Sequence, residues 1–189
     1  MSGYILNAQA KSTLTFTAPS DGSYAILFDS RNSFWPRTVK YTRDLSHQEI
    51  VYYQAEAIYN YLTAQGISYV NTPVSFFVNS QSIKYPSEVL TTKAGNCIDL
   101  TCLFASMIEA LDMRPIIIII PGHAFVGICE WSDTNTFYAL ETTMVGSDSF
   151  SNAWNEGSRK ITEEFDSSTG RLIDVKSHHD VGISPAPID

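Results

Sequence analysis

Residues 116–120 are five consecutive isoleucines, the longest apolar run in the chain. Such a run suits a strand buried on both faces, and it is far too short to span a bilayer. The strand is read over Arg114–Ile120. Before it, Cys97 to about Leu111 carries Leu100, Phe104, Met107, Ile108 and Leu111 on one helical face. After it come two strand-like runs, residues 123–131 and 136–142, around the turn Ser132-Asp133-Thr134-Asn135. A helix packed on an antiparallel sheet, an α+β domain, is the expectation.

Elsewhere, Leu14-Thr15-Phe16-Thr17 and Tyr24-Ala25-Ile26-Leu27-Phe28 flank Pro19-Ser20-Asp21-Gly22 and suggest a hairpin. A first strong helix runs from Ser46 to about Gln65. Ser46 and Glu49 form a capping-box pattern, Val51, Ala55, Ile58 and Leu62 share a face, and Gly66 is a natural stop. Residues 67–78 look extended, and Tyr85-Pro86-Ser87-Glu88 opens a short helical turn. Residues 149–165 look helical despite Gly157. A short strand over 171–175 and an exposed tail at Ser184-Pro185-Ala186-Pro187 follow. Two divisions are expected, a β-rich extension over 1–44 and the main domain over 45–189, forming one compact unit.

The chain has 189 residues, enough for one domain with a real core, and its formal charge is −8. It holds no lysine- or arginine-rich run, so the phosphate-neutralising surface of a nucleic-acid binder is not expected. Three cysteines, Cys97, Cys102 and Cys129, give no disulfide framework and fit a reducing compartment. No basic region followed by an apolar core opens the chain. A cytoplasmic protein without a membrane segment is the expectation.

Cys97 stands at the start of the second helix, where unpaired N–H groups and a partial positive charge favour a thiolate. His123 follows the Pro121-Gly122 turn and opens a strand, and Glu141 lies near the end of the next. Alone, the three read as a small buried thiol, a surface histidine and an exposed glutamate. In this order they divide one job, as nucleophile, base and orienter. Strand pairing sets a condition. If Trp131 pairs with Asn135 across a three-residue loop, paired numbers sum to 266. Glu141 then pairs with Phe125 and shares a face with His123. A two-residue loop gives a sum of 267 and opposite faces.

These stretches resemble the transglutaminase-like superfamily of papain-like fold. The resemblance rests on Tyr85-Pro86-Ser87-Glu88-Val89-Leu90, Gly95-Asn96-Cys97-Ile98-Asp99-Leu100, Gly122-His123-Ala124-Phe125-Val126-Gly127 and Leu140-Glu141-Thr142-Thr143. It extends over about residues 45–187, with Ile173-Asp174-Val175 and Gly182-Ile183-Ser184-Pro185 similar to a domain end. It is closest to bacterial transglutaminase-like domains found alone or within helicase-associated proteins. The resemblance implies acyl transfer on protein or peptide amides, with Cys97 as nucleophile, His123 as general base and Glu141 as orienter. It also implies two oxyanion donors, for which the Cys97 N–H and the Gln81 side chain are the candidates. A catalytically silent binding module, or a regulatory domain of a larger DNA-processing protein, is the alternative.

No cofactor or metal is expected. Cys97 and Cys102 are five residues apart, about 140° around a helix, so they do not face one ion. Cys102 and Cys129 are read as core thiols. His178-His179-Asp180 is read as a solvated loop, and Trp35 and Trp154 fit either a substrate groove or core.

Overall fold

The computed structural model of the chain describes residues 14–16, 39–41, 47–71, 82–129 and 136–183. Two short strands, β1 (Leu14–Phe16) and β2 (Val39–Tyr41), pair in parallel. The run at 24–28, Trp35, Ser46 with its cap, the turn at 132–135 and the tail at 184–187 lie outside the described residues.

α1 (His47–Ala64) ends before Gly66, whose φ of 75° needs the left-handed region that glycine enters freely. The chain then forms β3 (Ser68–Tyr69), α2 (Pro86–Thr92), β4 (Ala94–Gly95) and α3 (Cys97–Ala110). β3 and β4 pair in parallel, so the stretch after α1 is fastened to the turn before Cys97.

Four antiparallel strands make the main sheet. They are β5 (Arg114–Ile120), β6 (His123–Cys129), β7 (Phe137–Leu140) and β8 (Arg171–Asp174), in the order β7-β6-β5-β8. The isoleucine strand is therefore internal. Its alternate residues divide between the two faces: Ile116, Ile118 and Ile120 pack with Phe125, Cys129 and Ala139, whereas Ile117 and Ile119 pack beside Cys97, Ile98 and Ala124. α3 lies on that second face. Leu100, Leu103, Phe104 and Ile108 of α3 are buried against Val51, Ile58 and Leu62 of α1 and against Val126, Ile128 and Leu140 of the sheet. Each such side chain stabilises the fold by about 1.5–3 kcal/mol through removal from water.

α4 (Phe150–Glu163) crosses the edge strand β7. Phe150, Ala153 and Trp154 join the core around α1 and α3, while Ile161 and Phe165 cover the opposite face. The crossing depends on Gly157, because a Cβ there would lie 2.4 Å from the Ala139 carbonyl oxygen. Gly157 thus permits a close approach and does not break the helix. Trp154 belongs to an aromatic cluster with Tyr52, Tyr138 and Phe150.

Three expectations need correction. The strand read over 136–142 stops at Leu140, because Glu141 caps a 3-10 turn over Thr142–Met144. The strand read over 171–175 stops at Asp174, whose carboxylate accepts the Ser177 N–H at 3.2 Å and caps α5 (Val175–Asp180). His178-His179-Asp180 is therefore helical and not a loop. His178 Nδ1 lies 2.7 Å from the Asp174 carbonyl, and His179 Nδ1 is 2.9 Å from Glu109 Oε1. Among the described residues, no helix is long and apolar enough to cross a membrane.

Candidate active site

The turn before α3 is built by a reciprocal cap. The Asn96 side chain accepts the Asp99 N–H at 3.0 Å, and Asp99 Oδ2 accepts the Asn96 N–H at 3.0 Å. Gly95 makes room for this, since a Cβ there would stand 2.9 Å from the Asp99 Cβ. The cap occupies the N–H groups of Asn96 and Asp99. Among the described residues, the N–H of Cys97 at the first helical position has no acceptor. Cys97 is 2% exposed and packs with Ile98 and Ala124.

Asp99 is itself buried, and its second oxygen accepts the Lys84 N–H at 2.8 Å. The Lys84 ammonium donates to the Ala94 carbonyl at 2.9 Å. Two bonds thus fasten the segment before α2 to the turn that carries the thiol. Gln81 stands three residues upstream of Lys84 and lies outside the described residues.

His123 opens β6 opposite Ile120, after the turn at Gly122, whose φ is 77°. Strands β6 and β7 pair as Val126 with Leu140 and Ile128 with Tyr138, a sum of 266 in each case. This register sends Glu141 to the His123 face. His123 Nε2 and Glu141 Oε2 are 2.7 Å apart. Phe125 stacks on the imidazole with centroids 5.9 Å apart and planes at 22°. The Cys97 thiol is among the groups that act on the same ring. With Nε2 taken by Glu141, Nδ1 is the ring nitrogen left open. The imidazole thus has a carboxylate on Nε2 and a thiol in its surroundings.

Glu141 is 2% exposed and fully engaged. Oε1 accepts the Thr143 N–H at 3.0 Å and the Thr143 hydroxyl at 2.7 Å. The backbone N–H of Glu141 donates to the Ala153 carbonyl of α4 at 3.0 Å. Burial would raise its pKa, but the bonds from His123 and Thr143 outweigh it and hold the carboxyl below the usual range. For His123 burial disfavours the charged ring. The neighbouring Cys97 thiol and Glu141 carboxylate outweigh it and raise the pKa to about 9; the charge of Lys160 pulls it down. These partners favour the protonated ring.

Two neighbours escape a reading of the sequence. Lys160 of α4 brings its ammonium to 3.8 Å from Glu141 Oε2. Tyr69 of β3, partly exposed, lies within reach of the charges of Cys97 and Glu141, which add to burial in raising its pKa. Both come from elements distant in sequence from the three residues, and only the fold brings them near. The other thiols differ. Burial, with the Asp99 charge, raises Cys102 to about 11, and burial likewise raises Cys129. Among the described residues, no group of three or more His, Cys, Asp or Glu side chains is placed to hold a metal ion.

A family model described as the transglutaminase-like superfamily matches residues 39–156, which include Cys97, His123 and Glu141. Among solved structures the chain is similar to Legionella pneumophila LapG, at 12% identity over 74% of this chain and 76% of that chain, with a TM-score of 0.39. It is also similar to EGTA-treated Legionella pneumophila LapG, at 11% identity over 67% and 75% of the two chains, with a TM-score of 0.37. No curated protein sequence matches the chain significantly. With more than half of its length inside the family model, the chain belongs to the transglutaminase-like superfamily, and its mixed helix and antiparallel sheet is the α+β papain-like core.

Proposed function

We propose that this transglutaminase-like chain carries out cysteine-dependent acyl transfer on protein or peptide amides, with Cys97 as nucleophile, His123 as acid and base, and Glu141 as orienter. The observation that carries the reading is the 2.7 Å contact of His123 Nε2 with the buried Glu141 carboxylate, with the Cys97 thiol among the groups that act on the same ring. A histidine bonded to a buried carboxylate on one nitrogen has a fixed ring and a fixed tautomer, so its second nitrogen is aimed.

In the first half-reaction the Cys97 thiolate attacks the amide carbonyl carbon, forming a C–S bond and an oxyanion. The oxyanion collapses, the C–N bond breaks, and the His123 imidazolium gives its proton to the departing amine. A thioester and a neutral imidazole remain. In the second half-reaction His123 takes a proton from the incoming water or amine as it attacks the thioester, and collapse expels the thiolate. Charge and protons return to their starting places. The N–H of Cys97 is the backbone donor proposed for the oxyanion. Gln81 is proposed as the side-chain donor, a role favoured by the two bonds that tether Lys84 to the Cys97 turn. Hydrolysis is favoured over amine transfer, because water is always available and no amine-binding feature stands out.

The test is competitive alkylation of the intact protein with iodoacetamide, read by mass spectrometry. Cys97 is expected to label far faster than Cys102 or Cys129, and His123→Ala is expected to remove that advantage. Slow, equal labelling of all three thiols would overturn the reading and favour a silent module that binds a protein segment.

A further inference from the structure

We propose that Lys160 is a positioning residue of this site: its ammonium holds the Glu141 carboxylate in line with His123 and keeps that carboxylate from claiming the imidazole proton outright. The inference rests on the acyl-transfer reading above and adds a residue to it.

The placement follows from Gly157. Where α4 closes on the Ala139 backbone, the residue three positions further along falls on the same helix face, one turn on. Lys160 is that residue. Its side chain is 18% exposed, and Nζ faces three carboxylate oxygens: Glu141 Oε2 at 3.8 Å, Glu156 Oε1 at 3.6 Å and Glu164 Oε2 at 3.7 Å. Glu156 and Glu164 are already bound by Arg159, at 2.7 and 2.6 Å. Lys160 therefore shares the two outer carboxylates with Arg159 and has the inner one, Glu141, as its third partner. Spread over three partners, the ammonium approaches none of them closely. At 3.8 Å it acts on the oxygen that binds His123 without displacing the 2.7 Å bond.

The titratable and charged groups around the His123–Glu141 pair come from every packed element. Cys97 comes from α3, Tyr59 from α1, Tyr69 from β3, and Lys160 and Glu156 from α4. Both tyrosines have raised pKa values, so both are neutral near pH 7. Lys160 is the cation of the set, and its charge opposes the imidazolium. A less tightly held proton is a better one to give to a leaving amine. Amide cleavage needs that donation, whereas an activated ester, whose leaving group departs as a stable anion, hardly does. Lysine charge should therefore matter for amides and not for activated esters.

The experiment is a titration of ¹⁵N-histidine-labelled full chain by NMR, in wild type, Lys160→Met, Lys160→Gln and Lys160→Arg. The His123 midpoint is expected to rise by about half a pH unit in the Met and Gln variants and to stay put in the Arg variant. His178 and His179 are internal controls. In parallel, kcat/KM for a peptide amide should fall several-fold in Lys160→Met and Lys160→Gln, with the p-nitrophenyl ester unaffected and Arg restoring the ratio. An unmoved His123 midpoint with an unchanged amide-to-ester ratio in either neutral variant overturns the proposal. So does the same shift in Lys160→Arg, which would mark a packing effect. An inert wild-type Cys97 would defeat the acyl-transfer reading separately, because the midpoint is read without turnover.

Discussion

The two ends of the main sheet hold similar materials and arrange them differently. At the end where β6 begins stand Cys97, His123, Glu141 and Lys160. At the end where β6 finishes stand Cys129, Arg114 and Asp174, around a cavity of about 280 Å³ that Ile116, Phe137 and Leu172 also line. Each end has a thiol, a carboxylate and a cation. Arg114 Nε donates to Asp174 Oδ2 at 2.8 Å, so those two charges neutralise each other. A guanidinium cannot give up its proton, and Cys129 is the last residue of strand β6 and not the first of a helix. Burial raises its pKa, and the opposed charges of Arg114 and Asp174 do little to offset that. At the other end the group beside the thiol is an imidazole, which can both hold and release a proton. What separates the ends is the exchangeability of the middle group.

The comparison can be broken most directly at the thiols. Cys97→Ala is expected to lower peptide-amide turnover by about 10³-fold or more, measured as kcat/KM. Cys129→Ala should leave turnover intact and cost about 1 kcal/mol in urea unfolding. Equal losses would erase the distinction. Next in size, Glu141→Gln should slow turnover by on the order of 10²-fold, because the amide no longer fixes the imidazolium. The same change should move the alkaline limb of the pH–rate profile downward, since Glu141 is among the groups that raise His123.

Gly157→Ala tests whether α4 delivers Glu141. The new methyl would meet the Ala139 carbonyl at 2.4 Å, so the helix must shift. A loss of about 1–3 kcal/mol in stability is expected, with a roughly tenfold loss in turnover. At the far end, Asp174→Asn should cost about 1 kcal/mol or less and leave the rate unchanged. A pH series sharpens the contrast at smallest amplitude. His123 is raised from 6.5 to about 9, so its contribution to stability is fully present below 6.5 and is lost as pH rises through 9. Glu141 and Asp174 are both depressed, so theirs is present above the ordinary carboxylate range and is lost in acid. Thermal melts from pH 6 to 10 should therefore fall through the alkaline window in wild type and fall less in His123→Gln.

Much of this was legible in the sequence because it depends on short-range patterns. The helix stripe from Leu100 to Leu111 and the two-faced isoleucine strand need only periodicity. The pairing sum of 266 follows once the length of the loop after β6 is chosen, and it alone decides whether Glu141 and His123 share a face. The end of β7 was less legible. Nothing in the residues 136–142 says that Glu141 turns its side chain back to cap its own following turn, a local bond that competes with the strand ladder. Asp174 ends β8 by the same device, and α5 was missed for that reason. Lys160 and Tyr69 were beyond reach because their relation to the site is set by how whole elements pack. Gly157 gave the one signal, a glycine inside a helical pattern, and its meaning needed a partner strand.

The bond from the Glu141 N–H to the Ala153 carbonyl ties the residue that contacts His123 to a helix at the sheet's edge. Elements with few buried side chains open locally at lower free energy, and α4 buries only Phe150, Ala153 and Gly157 where β6 is buried along most of its length. Mild heat or denaturant should therefore release α4 first and loosen the His123–Glu141 pair while β5 and β6 stay protected from hydrogen exchange. Loss of function would then precede loss of fold, and the protein would have a working ceiling set by one helix and not by its core.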